Sequence, residues 1–166
     1  MTLSLALMGF LHVALPAQSW GCEDNLPILI RELAGEWMRE GETRSINLMP
    51  SMQHLRFAHS PMAFVDATIT KDDGGSVAAL GKPTPVVKWT WSYHDGAHRA
   101  PDAWNTGDVR ETWYVERAAP HRIIKWECAD GSGGSLLTSK RLPYWELHAE
   151  KDAGLRREFK LSSPGK

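Results

Sequence analysis

The chain holds only two cysteines among its 166 residues, with no CxxC pair and no Cys/His zinc spacing, so a structural zinc site built on cysteine is excluded. It lacks a charge surplus: 19 Lys+Arg against 20 Asp+Glu leave a net charge of −1, without the basic excess that contact with a phosphate backbone requires. No nucleic-acid partner is expected. Runs of about 18 or more apolar residues are also missing, so no membrane-spanning helix is expected. Neither a GxSxG elbow, an HExxH pair, a P-loop nor a Rossmann glycine pattern occurs, and nothing else marks a catalytic centre or a cofactor site. Phe and Tyr are scarce, at four and three, and are outnumbered by eight Trp. An apolar fraction of 42% with 23% charged residues is that of an ordinary globular chain, not a disordered one.

Residues 1–19 contain no Asp, Glu, Lys or Arg. The apolar run from Leu3 to Leu15 ends in Pro16-Ala17-Gln18-Ser19, the small-residue exit of a secretory signal peptide. The expectation is a leader over 1–19 and a single all-β domain over 20–166, secreted or periplasmic. In an exported protein one even pair, Cys22 and Cys128, suggests a disulfide. It would close a loop of roughly 105 residues, worth about 4–5 kcal/mol in the chain-entropy model. The alternative is two independent thiols.

Asn25-Leu26-Pro27 opens a short helix that Gly35 ends, with Ile28, Leu29 and Leu33 at near-helical spacing. The apolar period then changes from 3.6 to 2. About nine strands are predicted, over 37–48, 52–59, 62–70, 86–93, 108–116, 121–128, 135–141, 144–150 and 155–161. Asp72-Asp73-Gly74-Gly75 reads as a hairpin turn. The clearest strand places Val87, Trp89, Trp91 and Tyr93 on one face; Val109, Trp113 and Val115 share another phase, as do Ile124, Trp126 and Cys128. Short turns without crossover helices imply antiparallel pairing, and so many strands imply closure into a barrel of 8–9 strands or folding into a β-sandwich.

Residues 32–37, Glu-Leu-Ala-Gly-Glu-Trp, resemble the G-x-W entry of lipocalins and related calycin barrels, in which a short helical turn precedes the first strand. The resemblance implies a structural role for Gly35 and makes Trp37 the plug of the closed end, packed against a basic residue near the end of the chain, Arg156 or Arg157. Two features depart from that pattern: Arg39, Glu40, Gly41 and Glu42 follow the Trp, and no long C-terminal helix is evident.

The indoles carry the functional reading. Trp89, Trp91, Tyr93, Trp113 and Trp126 would line a Trp-rich barrel interior for a small apolar or aromatic ligand, or else form a packed core. Binding is favoured over catalysis. A second reading is an enzyme or metal protein built on the loop after residue 93, where His94, Asp95 and His98 offer metal ligands. A third is a carbohydrate-binding β-sandwich with exposed, coplanar indoles. Asp66, in phase with Phe64, and Glu111, in phase with Val109 and Trp113, are the acids most exposed to a raised pKa.

Overall fold

The computed structural model describes residues 20–59, 61–94, 108–147 and 150–155. The predicted leader over 1–19, the metal candidates Asp95 and His98, and the plug partners Arg156 and Arg157 lie outside the described residues.

Seven strands form one sheet in sequence order: β1 Trp20–Cys22, β2 Glu42–Met49, β3 Val65–Ala79, β4 Lys82–His94, β5 Asp108–Glu116, β6 Ile123–Cys128 and β7 Gly133–Ser135. Strands β2 to β7 are an antiparallel meander, while β1 pairs parallel with β2. The sheet curls into a half-barrel and does not close as the predicted 8–9-stranded barrel. Two observations account for the open form. Both edge strands, β1 and β7, have only three residues, too few for a long ladder to join them. The chain between β1 and β2 also fills the space that a closing wall would enclose.

That filling segment starts with a 3-10 turn, Glu23–Asn25, and a short helix α1, Leu26–Leu29, with Pro27 in its first turn as the sequence predicts. Leu26, Ile30, Trp37 and Met38 then pack on the inner face of the sheet against Ile46, Leu48, Ile69, Trp89, Trp91, Tyr93 and Val115. Arg31 ties the segment to the β5–β6 turn, donating from Nε to the His121 carbonyl at 2.9 Å and from Nη2 to the Pro120 carbonyl at 3.0 Å. A smaller cluster of Ala79, Val86 and Ile124 covers part of the opposite face.

The predicted strands over 52–59, 135–141 and 144–150 are not strands beyond Ser135, the predicted strand over 155–161 falls outside the described residues from 156 on, and the predicted hairpin turn lies elsewhere. Residues 52–59 form helix α2, Met52–Ala58, because Ser51 caps it by accepting the His54 N–H at 3.1 Å. The run Asp72–Gly75 is a bulge inside β3 rather than a hairpin: a Cβ on Gly74 would stand 2.8 Å from Val86 Cγ2 and 3.0 Å from the Val86 carbonyl oxygen, so only glycine permits that approach. The hairpin comes later, at Leu80 (φ 51) and Gly81 (φ 79), with both central residues in the left-handed region that a tight two-residue turn requires. Past β7, Pro143 opens a 3-10 turn over Tyr144–Glu146 with Glu146 N–H bonded to the Pro143 carbonyl at 2.9 Å, and another turn spans Glu150–Gly154.

The expected disulfide is corrected as well. Cys22 and Cys128 are both free thiols. Cys22 on β1 and Cys128 on β6 do not stand within the distance a disulfide requires.

Candidate functional site

Register lines up the inner-face residues in rows. Lys71, Trp89, Trp113, Trp126 and Gly134 are successive cross-strand partners from β3 to β7. The neighbouring row is Arg44, Ile69, Trp91, Glu111 and Cys128. Directly opposite and diagonal neighbours in a sheet come within reach of aromatic side chains, so indoles in these rows can stack. Trp113 and Trp126 do so with centroids 5.7 Å apart and planes at 21°, and Trp91 and Trp113 at 5.5 Å and 20°. On the other side, Trp37 stacks on Trp89 at 5.6 Å and 14°.

The five aromatic residues singled out from the sequence therefore share one face, with different exposures. Trp89, Trp91 and Tyr93 are core, 0%, 1% and 5% exposed, covered by the 23–38 segment. Trp113 is half-buried, and Trp126 is 37% exposed. The row thus runs from the packed interior to an open edge. There it meets a largely apolar groove of about 490 Å³ bounded by Trp113, Ile123, Trp126, Leu136 and Leu137. Gly134 positions the exposed ring: its Cα lies beneath the Trp126 indole, where any Cβ would collide with ring carbons. A bulge in β6 makes Ile123, not Ile124, the inner-face partner of Val115, while Ile124 packs in the outer cluster. Leu136 and Leu137 escaped the sequence reading because they follow a three-residue strand and carry no alternation of their own.

Trp37 is buried, and Gly35, at φ 121, makes the preceding turn. Its packing partner is Trp89. The nearby cation is Lys71, 5.3 Å from the centroid of Trp89. Lys71 is itself buried and donates to both Glu32 oxygens, at 2.9 and 2.8 Å, and to the Met38 carbonyl at 2.5 Å. Glu32 also accepts the backbone N–H groups of Trp37 (2.8 Å) and Met38 (3.2 Å), so this ion pair fixes the turn that delivers Trp37. A lysine in phase with Ala67 and Ile69 was the available signal for it.

A second buried acid sits at the far end of the same face. Glu23 accepts from Trp91 Nε1 at 3.3 Å, from the Tyr93 hydroxyl at 3.0 Å and from the Ser51 N–H at 2.7 Å. Glu111 accepts from Trp113 Nε1 at 2.8 Å. Burial pushes the Glu111 carboxyl above its usual range, the Trp113 bond opposes the rise, and the charges of Glu23 and Asp130 add to it. Asp66, the other acid considered, is exposed. Burial also raises the Cys128 thiol, with Glu111, Asp130 and Glu23 adding to the rise, which keeps it protonated and weakly nucleophilic near neutral pH.

The raised carboxyl has a stability consequence. A folded-state pKa above the unfolded one means that Glu111 favours the fold below its ordinary 4.5, and that this contribution is lost as pH rises through the raised value. Glu111→Gln keeps an oxygen for the Trp113 indole and removes the charge. It is expected to be more stable than the parent near neutral pH, with the gain vanishing in acid; urea unfolding across pH checks this, and a gain that grows in acid would contradict it.

The metal reading finds little support in the part of the loop that is described. His94 is paired with Asp108 at 2.8 Å, with both side chains mostly exposed. Among the described residues no group of three or more His, Cys, Asp or Glu is placed to hold a metal ion. Nor is any described helix long and apolar enough to cross a membrane. In comparisons with known proteins, the chain matches no family model, no curated protein and no solved structure.

Proposed function

We propose that the protein is an exported binding protein that holds a small apolar or aromatic molecule against Trp126 and Trp113. The observation that carries this reading is the stacked row Trp91–Trp113–Trp126, which ends in a partly exposed indole at an apolar groove. A stacked ring offers a ligand a flat apolar surface, and because its neighbours already fix its orientation, binding orders little that was free. The space fits the same reading: about 490 Å³ lies within the usual range of small-molecule sites. Export rests on the uncharged apolar stretch over 1–19. Free thiols are compatible with it where, as at Cys128, burial suppresses the reactive thiolate.

An uncharged fluorescent probe, phenylnaphthylamine, tests the site. Saturable binding is expected, weakened at least about tenfold by Trp126→Ala. Phe64→Ala, which removes another exposed apolar ring, is expected to leave the affinity unchanged. No saturable binding, or equal losses in the two variants, would overturn the proposal.

A further inference from the structure

Strand β7 ends the sheet beside the indole groove, and its backbone is oriented for further pairing. Its partners on β6 are Lys125 for Ser135, Trp126 for Gly134 and Glu127 for Gly133. The ladder is bonded at both ends of this run, where the Leu136 N–H meets the Ile124 carbonyl and the Cys128 N–H meets the Ser132 carbonyl, at 2.8 Å each. Bonded and non-bonded positions alternate in an antiparallel pair. Gly134 therefore bonds inward to Trp126, while Gly133 and Ser135 turn their N–H and C=O groups outward. Both residues are exposed, and among the described residues nothing pairs with these four groups.

The inner-face row also runs on to this edge. Trp89, Trp113 and Trp126 are followed by Gly134, and with no side chain there the Trp126 ring lies over the Gly134 Cα. The next position in the row, on a strand placed beside β7, comes within reach of that ring. An aromatic side chain at this position continues the stack that Trp113 and Trp126 make at 5.7 Å. The charges nearest the edge, Lys125 and Glu127, pair with each other, so an incoming strand meets no uncompensated charge and a neutral one is the complement.

We infer that the groove receives an aromatic side chain of an uncharged extended peptide, which adds to β7 as an antiparallel eighth strand. The inference rests on the groove being a ligand site and names the class of ligand. Main-chain bonds to Gly133 and Ser135 hold the peptide, and the groove selects its side chain. Residues flanking the aromatic one face away from the groove, so small polar side chains suit those positions.

Calorimetric titration of the full chain with the end-blocked peptide Ser-Val-Thr-Phe-Thr-Val-Ser tests the inference, Phe being the residue in register with Gly134. Saturable binding is expected. N-methylation of both Thr residues, whose N–H groups face β7 in this pairing, is expected to weaken it at least about tenfold. Methylation of the Phe nitrogen, which faces away, is expected to leave the affinity within about threefold. Replacing Phe by Ala in the peptide, or Trp126→Ala in the protein, is expected to cost at least about tenfold. No peptide binding up to about 1 mM while phenylnaphthylamine binds would overturn the inference and spare the groove; failure of both ligands would remove both. Equal losses from the two methylation patterns would also overturn it. So would peptide binding that appears only after removal of residues 156–166, or that is lost as the protein dimerises, since the edge would then belong to the chain's own C-terminus or to a second copy.

Discussion

Trp89→Ala is expected to lower the unfolding free energy by about 4 kcal/mol, the largest loss from any single truncation of this core. The indole is fully buried at the centre of the inner face. Trp37 stacks on it, Lys71 lies over it, and Trp113 is its cross-strand partner. Truncation removes a large buried area and also leaves Trp37, delivered by a fixed turn, facing a void that it cannot collapse into. For a domain with about 5–15 kcal/mol of total stability, such a loss is severe. Urea unfolding followed by circular dichroism measures it; a loss below about 1.5 kcal/mol, typical of a tolerated core change, would mean that the ring is not packed as described.

The second large effect belongs to the buried ion pair. Glu32→Gln is expected to cost about 3 kcal/mol, because Lys71, whose side chain is 5% exposed, keeps its charge but loses the carboxylate that offsets its desolvation. Gln retains an oxygen for the Trp37 and Met38 N–H groups, so the loss reports on the charge rather than on the turn. Replacing both partners removes the uncompensated charge, and the double variant Glu32→Gln/Lys71→Met is expected to lie within about 1 kcal/mol of the parent. A double variant as unstable as the sum of the single ones would contradict the pairing.

The period-2 pattern was informative where strands face a core on one side. Trp89, Trp91 and Tyr93, with Val109, Trp113 and Val115, fall on the inner face as their spacing requires, and Glu111 shares it. Periodicity failed where a local hydrogen bond or a backbone irregularity outweighed it. The alternation of Leu55 and Phe57 resembles a strand, but the Ser51 cap starts a helix there. Asp72–Gly75 has turn composition, yet the chain uses Gly74 for a close strand approach and turns at Leu80, a residue type rarely found at positive φ. The bulge in β6 reverses the face of Ile124, which no alternation can reveal.

The candidate site was half legible for a related reason. The aromatic residues were found because each obeys a local period. That Trp89 and Trp91 are covered while Trp126 is open depends on the 23–38 segment folding back across the sheet. Its anchors, Glu23 on Trp91 and Tyr93 and Arg31 on the β5–β6 turn, span 68 to 90 residues of sequence. Contacts of that separation leave no periodic trace in the chain.

Fluorine NMR of the protein labelled with fluorotryptophan, recorded with and without saturating phenylnaphthylamine, tests the central claim most directly, each resonance being assigned by a single Trp→Phe replacement. The arrangement of the indoles predicts that the Trp126 and Trp113 resonances shift on binding while those of Trp37 and Trp89 stay in place. Shifts at Trp37 and Trp89 with Trp126 unmoved would place the ligand in the interior and contradict the account.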